Sequence, residues 1–300
     1  MEENLTLLFN APILSVQLLV NGVLVGAIFV LAAYGMALVW GVMNVINIAQ
    51  GEFVMLGGYV AVYLSRAGVH PLYGVPLGAL ALFVLGWVVY RLVIFRIVER
   101  DLFTSVLATF GVSILLQQLM NQVFGADVRT ARSGFPTLLL FDGSVTVPEI
   151  KLIAFALSFV VGVCLIVFLK RSRLGQAIRA TAQNARAARV LGIDTDRVYA
   201  MTYALNAALC GAAGALVAMT WVVHPFQGLP YTVRSFMIVI VAGLGNLPGV
   251  IVAALGLGAA ENFAGFVLGA EFQVAFVFSL LVLVLVARNL QLRRQRKYLQ

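Results

Sequence analysis

Asn44, Asn47, Gln50 and Glu52 sit close together in a chain that is 62% hydrophobic and only 11% charged. Side-chain amides donate and accept at once, so a row of them can replace the hydration of a polar solute without trapping an ion. Asn44 and Asn47 are i, i+3, and Gln50 and Gly51 continue that face if the stretch is helical. Gly35, Gly41 and the Gly57-Gly58 pair flank it, which suits a broken or loosely wound passage beside a polar path. The other reading is an inner loop between two spans, where amides cost nothing. Both stand on sequence.

A second polar set is Gln117, Gln118 and Asn121, with Thr109 two turns earlier. Gln117 and Asn121 are i, i+4, so one helix face carries amides. They line a path or hold helices together by bonds worth about 0.6–2 kcal/mol each. Glu261 and Asn262 fall in another apolar run, where a carboxylate needs a partner, and Arg234 is the one on offer. A half-helix starting near Gly249 would aim its positive end at an anionic solute group.

Catalytic chemistry finds no footing. The chain lacks GxxxxGK[ST], HExxH and GxSxG, so it has no phosphate loop of its own and no zincin or serine-hydrolase motif. His70 and His224 are each followed by proline and read as turn residues. Cys164 and Cys210 lie in apolar runs without a CxxC and read as buried small apolar residues. No metal or catalytic site is expected, and no cofactor is expected in this chain.

The elements that would position the polar residues are membrane spans. Mean hydropathy is +1.01, and charged residues are far below the roughly 25% of a soluble domain. Apolar blocks of about 20 residues recur, each long enough for ~30 Å of hydrocarbon. The expectation is an all-α polytopic domain over residues 1–300 with eight or nine spans. They are placed near 13–40, 50–64, 72–90, 103–124, 150–169, 198–221, 234–247, 249–269 and 272–287. The first reads as a retained span, not a signal peptide. The short 234–247 stretch, with Gly243, Gly245, Pro248 and Gly249 around its end, can be a broken helix that turns back. Gly211, Gly214, Gly256 and Gly258 read as sites of close helix packing.

Fifteen of the 20 Lys and Arg fall at Arg91–Arg100, Lys170–Arg197 and Arg288–Lys297. The positive-inside rule puts these segments, including the 288–300 tail, in the cytoplasm. The N-terminus and the 125–149 excursion, with Asp142, then lie outside. Within 170–197, Leu174 to Leu191 has no proline and is rich in Ala, Arg and Gln. It reads as one water-exposed helix, stopped by Gly192 and followed by an Asp194 or Thr195 cap. Arg179 and Arg186 share one face. Ile178, Ala182 and Ala185 form another, a narrow stripe suited to a partner protein. A basic helix lying on lipid is the competing reading, but large apolar anchors are missing from the stripe.

Leu174-Gly175-Gln176-Ala177-Ile178-Arg179-Ala180 followed by Ala188-Arg189-Val190-Leu191-Gly192-Ile193-Asp194 resembles the cytoplasmic coupling segment of branched-chain amino-acid ABC permeases of the LivH type. Asn44 to Phe53 with Leu56-Gly57-Gly58-Tyr59 resembles the amino-terminal signature of that family, and Gly243-Leu244-Gly245-Asn246-Leu247-Pro248-Gly249 its late glycine–proline turn. The resemblance implies a permease subunit of an ATP-driven importer in a bacterial or archaeal inner membrane. Its implied partners are a homologous LivM-type permease, two cytoplasmic ATPases that hold ATP and Mg, and a periplasmic binding protein. Coupling to the ATPases would fall to Arg173, Gly175, Arg179, Ala182, Ala185, Arg186, Leu191 and Gly192. The path would run by Asn44, Asn47, Gln50, Glu52, Gln117, Asn121 and Gly249. The tail departs from the family pattern, and the substrate is left among branched-chain, other neutral or aromatic amino acids, urea and amides. A stand-alone secondary transporter or channel is the alternative. It would leave the exposed helical segment without a purpose.

Overall fold

The computed structural model describes residues 2–131, 133–140 and 145–297. In chain order the helices are α1 (Glu2–Asn10), α2 (Pro12–Met43), α3 (Gln50–Arg66), α4 (Gly74–Leu92), α5 (Leu102–Phe124) and α6 (Glu149–Arg171). They continue with α7 (Arg173–Gln183), α8 (Ala185–Val190), α9 (Thr195–Thr220), α10 (Gly228–Ala242), α11 (Leu247–Leu268) and α12 (Gln273–Lys297). Before α6, β1 (Thr137–Leu140) and β2 (Val145–Pro148) pair antiparallel, with Thr137 opposite Pro148. Asp142 lies outside the described residues.

Seven helices among the described residues are long and apolar enough to cross a membrane. The other two expected spans, α3 with 17 residues and α10 with 15, are shorter. α10 corrects the expected 234–247 placement: it starts six residues earlier and stops before the Gly243–Asn246 turn, where Gly243 and Gly245 take φ of 84° and 80°. α1 was not anticipated, because it is too short to give an apolar block.

The core is built on two helices. α2, 32 residues and about 48 Å long, and α9 are buried over most of their length, while over 273–287 α12 buries only Val277. Backbones approach closely through glycines. A Cβ on Gly211 would meet the Gly78 carbonyl at 2.4 Å, and one on Gly258 the Gly22 carbonyl at 2.3 Å. Gly214 is tighter still against Val54, at 1.8 Å from its carbonyl. Gly256 corrects the packing expectation, since nothing lies within 4 Å of its Cβ position; it lines an open groove. Cys164 is likewise exposed, on the outer face of α6, while Cys210 is buried.

Two of the basic segments, 91–100 and 170–197, lie at one end of the bundle. Arg96 and Arg100 line one depression with Arg189, and Lys170 and Arg179 line another beside Gly41 and Gly245. The starts of α2 and α6 lie at the opposite end. His70 and His224 sit there in turns, each accepting from the backbone N–H two residues on through Nδ1.

Candidate functional site

α2 stops at Met43, where Asn44 takes φ 53°, and the chain runs without helix to Ala49. Val45, Asn47 and Ala49 are buried there. Irregular backbone inside a membrane protein needs its polar groups satisfied by protein. Two threonines do this. Thr109 of α5 accepts from Ile48 N–H (3.2 Å) and lies 2.9 Å from the Ile46 carbonyl. Thr232 of α10 accepts from Gly51 N–H (2.9 Å) and donates to the Ile48 carbonyl (3.0 Å).

Asn47 and Gln50 point into the protein. Asn47 donates to Gln50 Oε1 (3.2 Å) and accepts from the Tyr203 hydroxyl (3.3 Å). Gln50 donates to the Ala32 carbonyl at 2.7 Å. Asn206 of α9 is fully buried near Gly35 and Gln50, with its Nδ2 unpartnered. Asn47 and Gln50 thus meet as expected, but not on a helical face. Asn47 lies in the irregular stretch and Gln50 is the first residue of α3. Asn44 does not join them; it is exposed.

Glu52 completes the cluster. It is 1% exposed, and its Oε1 accepts from Ser113 Oγ (3.1 Å) and from Gln117 Nε2 (3.5 Å), while Oε2 has no protein partner. The carboxyl packs on Gly228, the first residue of α10. Gly51 meets the same residue backbone to backbone, since a Cβ there would fall 1.8 Å from the Gly228 carbonyl. Two helix starts therefore converge on one carboxylate, where partial positive charge favours an anion. From this point the helices part. α3 runs toward Gly58, against Val223 and Gly214. α10 runs toward the basic end, with Phe236 stacked 4.8 Å from Trp40. Asn121 lies one turn beyond Gln117 and is half-buried. Gly249 stands apart, in the groove that α10, α11 and α12 form. Sequence reasoning did not single out Thr232, Tyr203 or Asn206. Their only signal is a polar group inside an apolar helix.

Glu261 has the partner expected for it. Arg234 donates through Nε to both carboxylate oxygens (3.1 and 3.0 Å) and through Nη2 to Oε1. Both side chains are largely buried, and the guanidinium also lies 5.2 Å from the Phe29 ring.

At the basic end the expected single helix is two. Asn184 ends α7 and starts α8, its Oδ1 accepting from Ala187 N–H (3.0 Å). A short amide side chain competes with the backbone ladder and breaks the helix there. Ser172 Oγ caps α7 at Gly175 N–H (2.8 Å), and Gly175 packs on the last turn of α6. Ile178 is buried against the bundle, so it is not part of an outward stripe; Ala185 is half-buried, and Ala182 faces out. Arg173, Arg179 and Arg186 are exposed. The outward apolar surface is Val190 and Leu191, 88% and 82% exposed. Gly192, at φ 85°, closes the segment: its N–H bonds to Arg189 O and that of Ile193 to Ala188 O, a Schellman ending. Asp194 then caps α9 through Arg197 N–H (3.0 Å). Arg189 ties the segment to Glu99 (2.8 Å) and to Thr195 (3.0 Å).

Residues 18–287 match the family described as branched-chain amino acid transport system / permease component. The high-affinity branched-chain amino acid transport system permease protein BraD of Pseudomonas aeruginosa is 32% identical over 91% of this chain and 93% of its own length. The corresponding protein LivH of Escherichia coli K12 is 30% identical over 90% and 92%. A probable branched-chain permease LivH of Methanocaldococcus jannaschii is 27% identical over 89% and 88%. Among solved structures, a chain of PsaBC from Streptococcus pneumoniae in complex with Fab shares the fold. It has a TM-score of 0.50 and 11% identity, with 94% of each chain covered.

Proposed function

The chain belongs to the branched-chain amino acid transport permease family, and from this we propose that it is the membrane subunit through which an ATP-driven importer passes branched-chain or related neutral amino acids. The observation that carries this reading is the match over residues 18–287, which takes in both converging helix starts and the whole α7–α8 arm.

The arm is the docking surface for a cytoplasmic ATPase, and ATP and Mg are held there, outside this chain. Two large apolar side chains in water at Val190 and Leu191 gain by burial, at about 25 cal/mol per Å². The rim of Arg173, Arg179 and Arg186 adds steering and orientation. Transmission to the path is short. Arg189 bonds Thr195 at the start of α9, and α9 carries Tyr203 and Asn206, two to three turns on, against Asn47, Gln50 and Gly35. A push on the arm thus moves the sealed amide cluster as part of one rigid helix. The cluster is the closed gate of a path that continues by Gln117 and Asn121. A homologous permease and a periplasmic binding protein complete the assembly, in the cytoplasmic membrane.

The test is reconstitution in proteoliposomes with candidate ATPases, a second permease and the binding protein, reading labelled leucine uptake. Uptake that requires ATP and the binding protein is expected. Uptake by this chain alone, without ATP, would overturn the reading in favour of a secondary transporter or channel.

A further inference from the structure

A cavity of about 320 Å³ lies at the end remote from the basic segments, between the starts of α6, α10 and α12 and the sides of α2 and α11. Among the described residues its charge does not balance. Arg234 and Glu261 neutralise each other as a fork. Lys151, the third residue of α6, has no carboxylate within 4 Å among the described residues. It donates to Asn21 Oδ1 and lies 6.0 Å from the centre of the Trp221 ring. Holding an ammonium in a partly closed space with a neutral partner is costly unless a counter-charge arrives.

The amides tell which groups the cavity offers. Asn21 Nδ2 donates to Asn262 Oδ1 (3.4 Å), and Asn262 Nδ2 donates to the Leu18 carbonyl (2.6 Å). This relay fixes both amide orientations. The acceptor oxygens of Asn21 and Asn262 are engaged within the protein, whereas each NH2 keeps a second hydrogen and Lys151 keeps two. The site is thus rich in donors, and its described lining carries one net positive charge. Val25 and Val274 give it an apolar wall.

The geometry points to an oxyanion site, which we assign to the carboxylate of an aliphatic amino acid, with Lys151 as its charge partner and Asn21 and Asn262 as its orienting donors. Preferring a carboxylate to a phosphate rests on the transport reading above, whereas the oxyanion chemistry rests on the relay and Lys151 alone.

The experiment is thermal unfolding of the purified full chain in detergent with three probes: isovalerate, isoamylamine and inorganic phosphate. Isovalerate, which carries the isobutyl side chain of leucine on a carboxylate and has no ammonium, should stabilise the protein saturably, and isoamylamine should not. Lys151→Met should weaken the isovalerate effect about tenfold or more, the scale of one charge-assisted hydrogen bond, and Lys151→Arg should retain most of it. Equal responses to isovalerate and isoamylamine overturn the proposal without any variant, even if Lys151→Met does not fold. So does an isovalerate response unchanged in Lys151→Met. Stabilisation by phosphate and not by isovalerate would assign the donors to a phosphate headgroup and overturn the carboxylate assignment. Uptake plays no part in this readout, so failed leucine transport would count against the transport reading and leave the site standing.

Discussion

Thr232 uses one hydroxyl twice, accepting from Gly51 and donating to Ile48, and both groups belong to backbone that no helix satisfies. Thr232→Val keeps the shape and removes both bonds. Each buried group left unpaired costs about 1–3 kcal/mol, so this variant should unfold well before Thr232→Ser in a detergent denaturation series. Equal stability of the two would mean that the passage is held by packing. The residues around Thr232 show what sequence can and cannot reveal. Asn47, Gln50 and Glu52 stand out because amides and carboxylates are rare in apolar surroundings. Thr232 does not, because a threonine in an apolar helix ordinarily bonds back to its own i−4 carbonyl, as Thr202 does to Val198. Only the fold distinguishes the two. Lys151 was missed for a related reason: a lysine near a helix start reads as an interfacial anchor until its neighbours are known.

The α7–α8 arm was legible at its ends and not in its middle. Gly192 reads as the stop because glycine favours the left-handed cap, and Asp194 or Thr195 as a cap for the next helix, of which Asp194 does so. The break at Asn184 was hidden by strong helix formers on both sides. Tertiary contact also turned Ile178 inward, and with it the face expected to meet a partner. Gly192→Val forces a β-branched residue to φ 85°, where the left-handed region costs roughly 1–2 kcal/mol. No atom lies within 4 Å of the Cβ position, so the effect is one of conformation and not of a clash. In the reconstituted assembly, leucine taken up per ATP hydrolysed should fall severalfold for Gly192→Val. Gly192→Asn should fall less, since asparagine tolerates that backbone. Unchanged coupling in Gly192→Val would remove the arm from the mechanism.

At the scale of the whole chain, all nine apolar blocks became helices, because long apolar runs are the least ambiguous signal in a sequence. Which blocks would lie at the centre was not legible, since α2, α9 and α12 are all strongly apolar and only packing separates them. The positive-inside rule leads us to expect the basic end in the cytoplasm. A reporter active only in the cytoplasm should work when fused after Lys297 and fail when inserted at Asp142. The reverse pattern would invert the molecule without changing its class. The meeting of α3 and α10 joins residues far apart in the chain, so no local pattern could announce it. Its character sets how the protein can move. Gly51 and Gly228 touch backbone on backbone, with only Glu52 and Thr232 reaching in beside them, which makes the contact a bearing with few side chains to reset. Sliding one helix start across the other disturbs little side-chain entropy there, and the resistance to motion resides in the Glu52 carboxyl and the few hydrogen bonds around it.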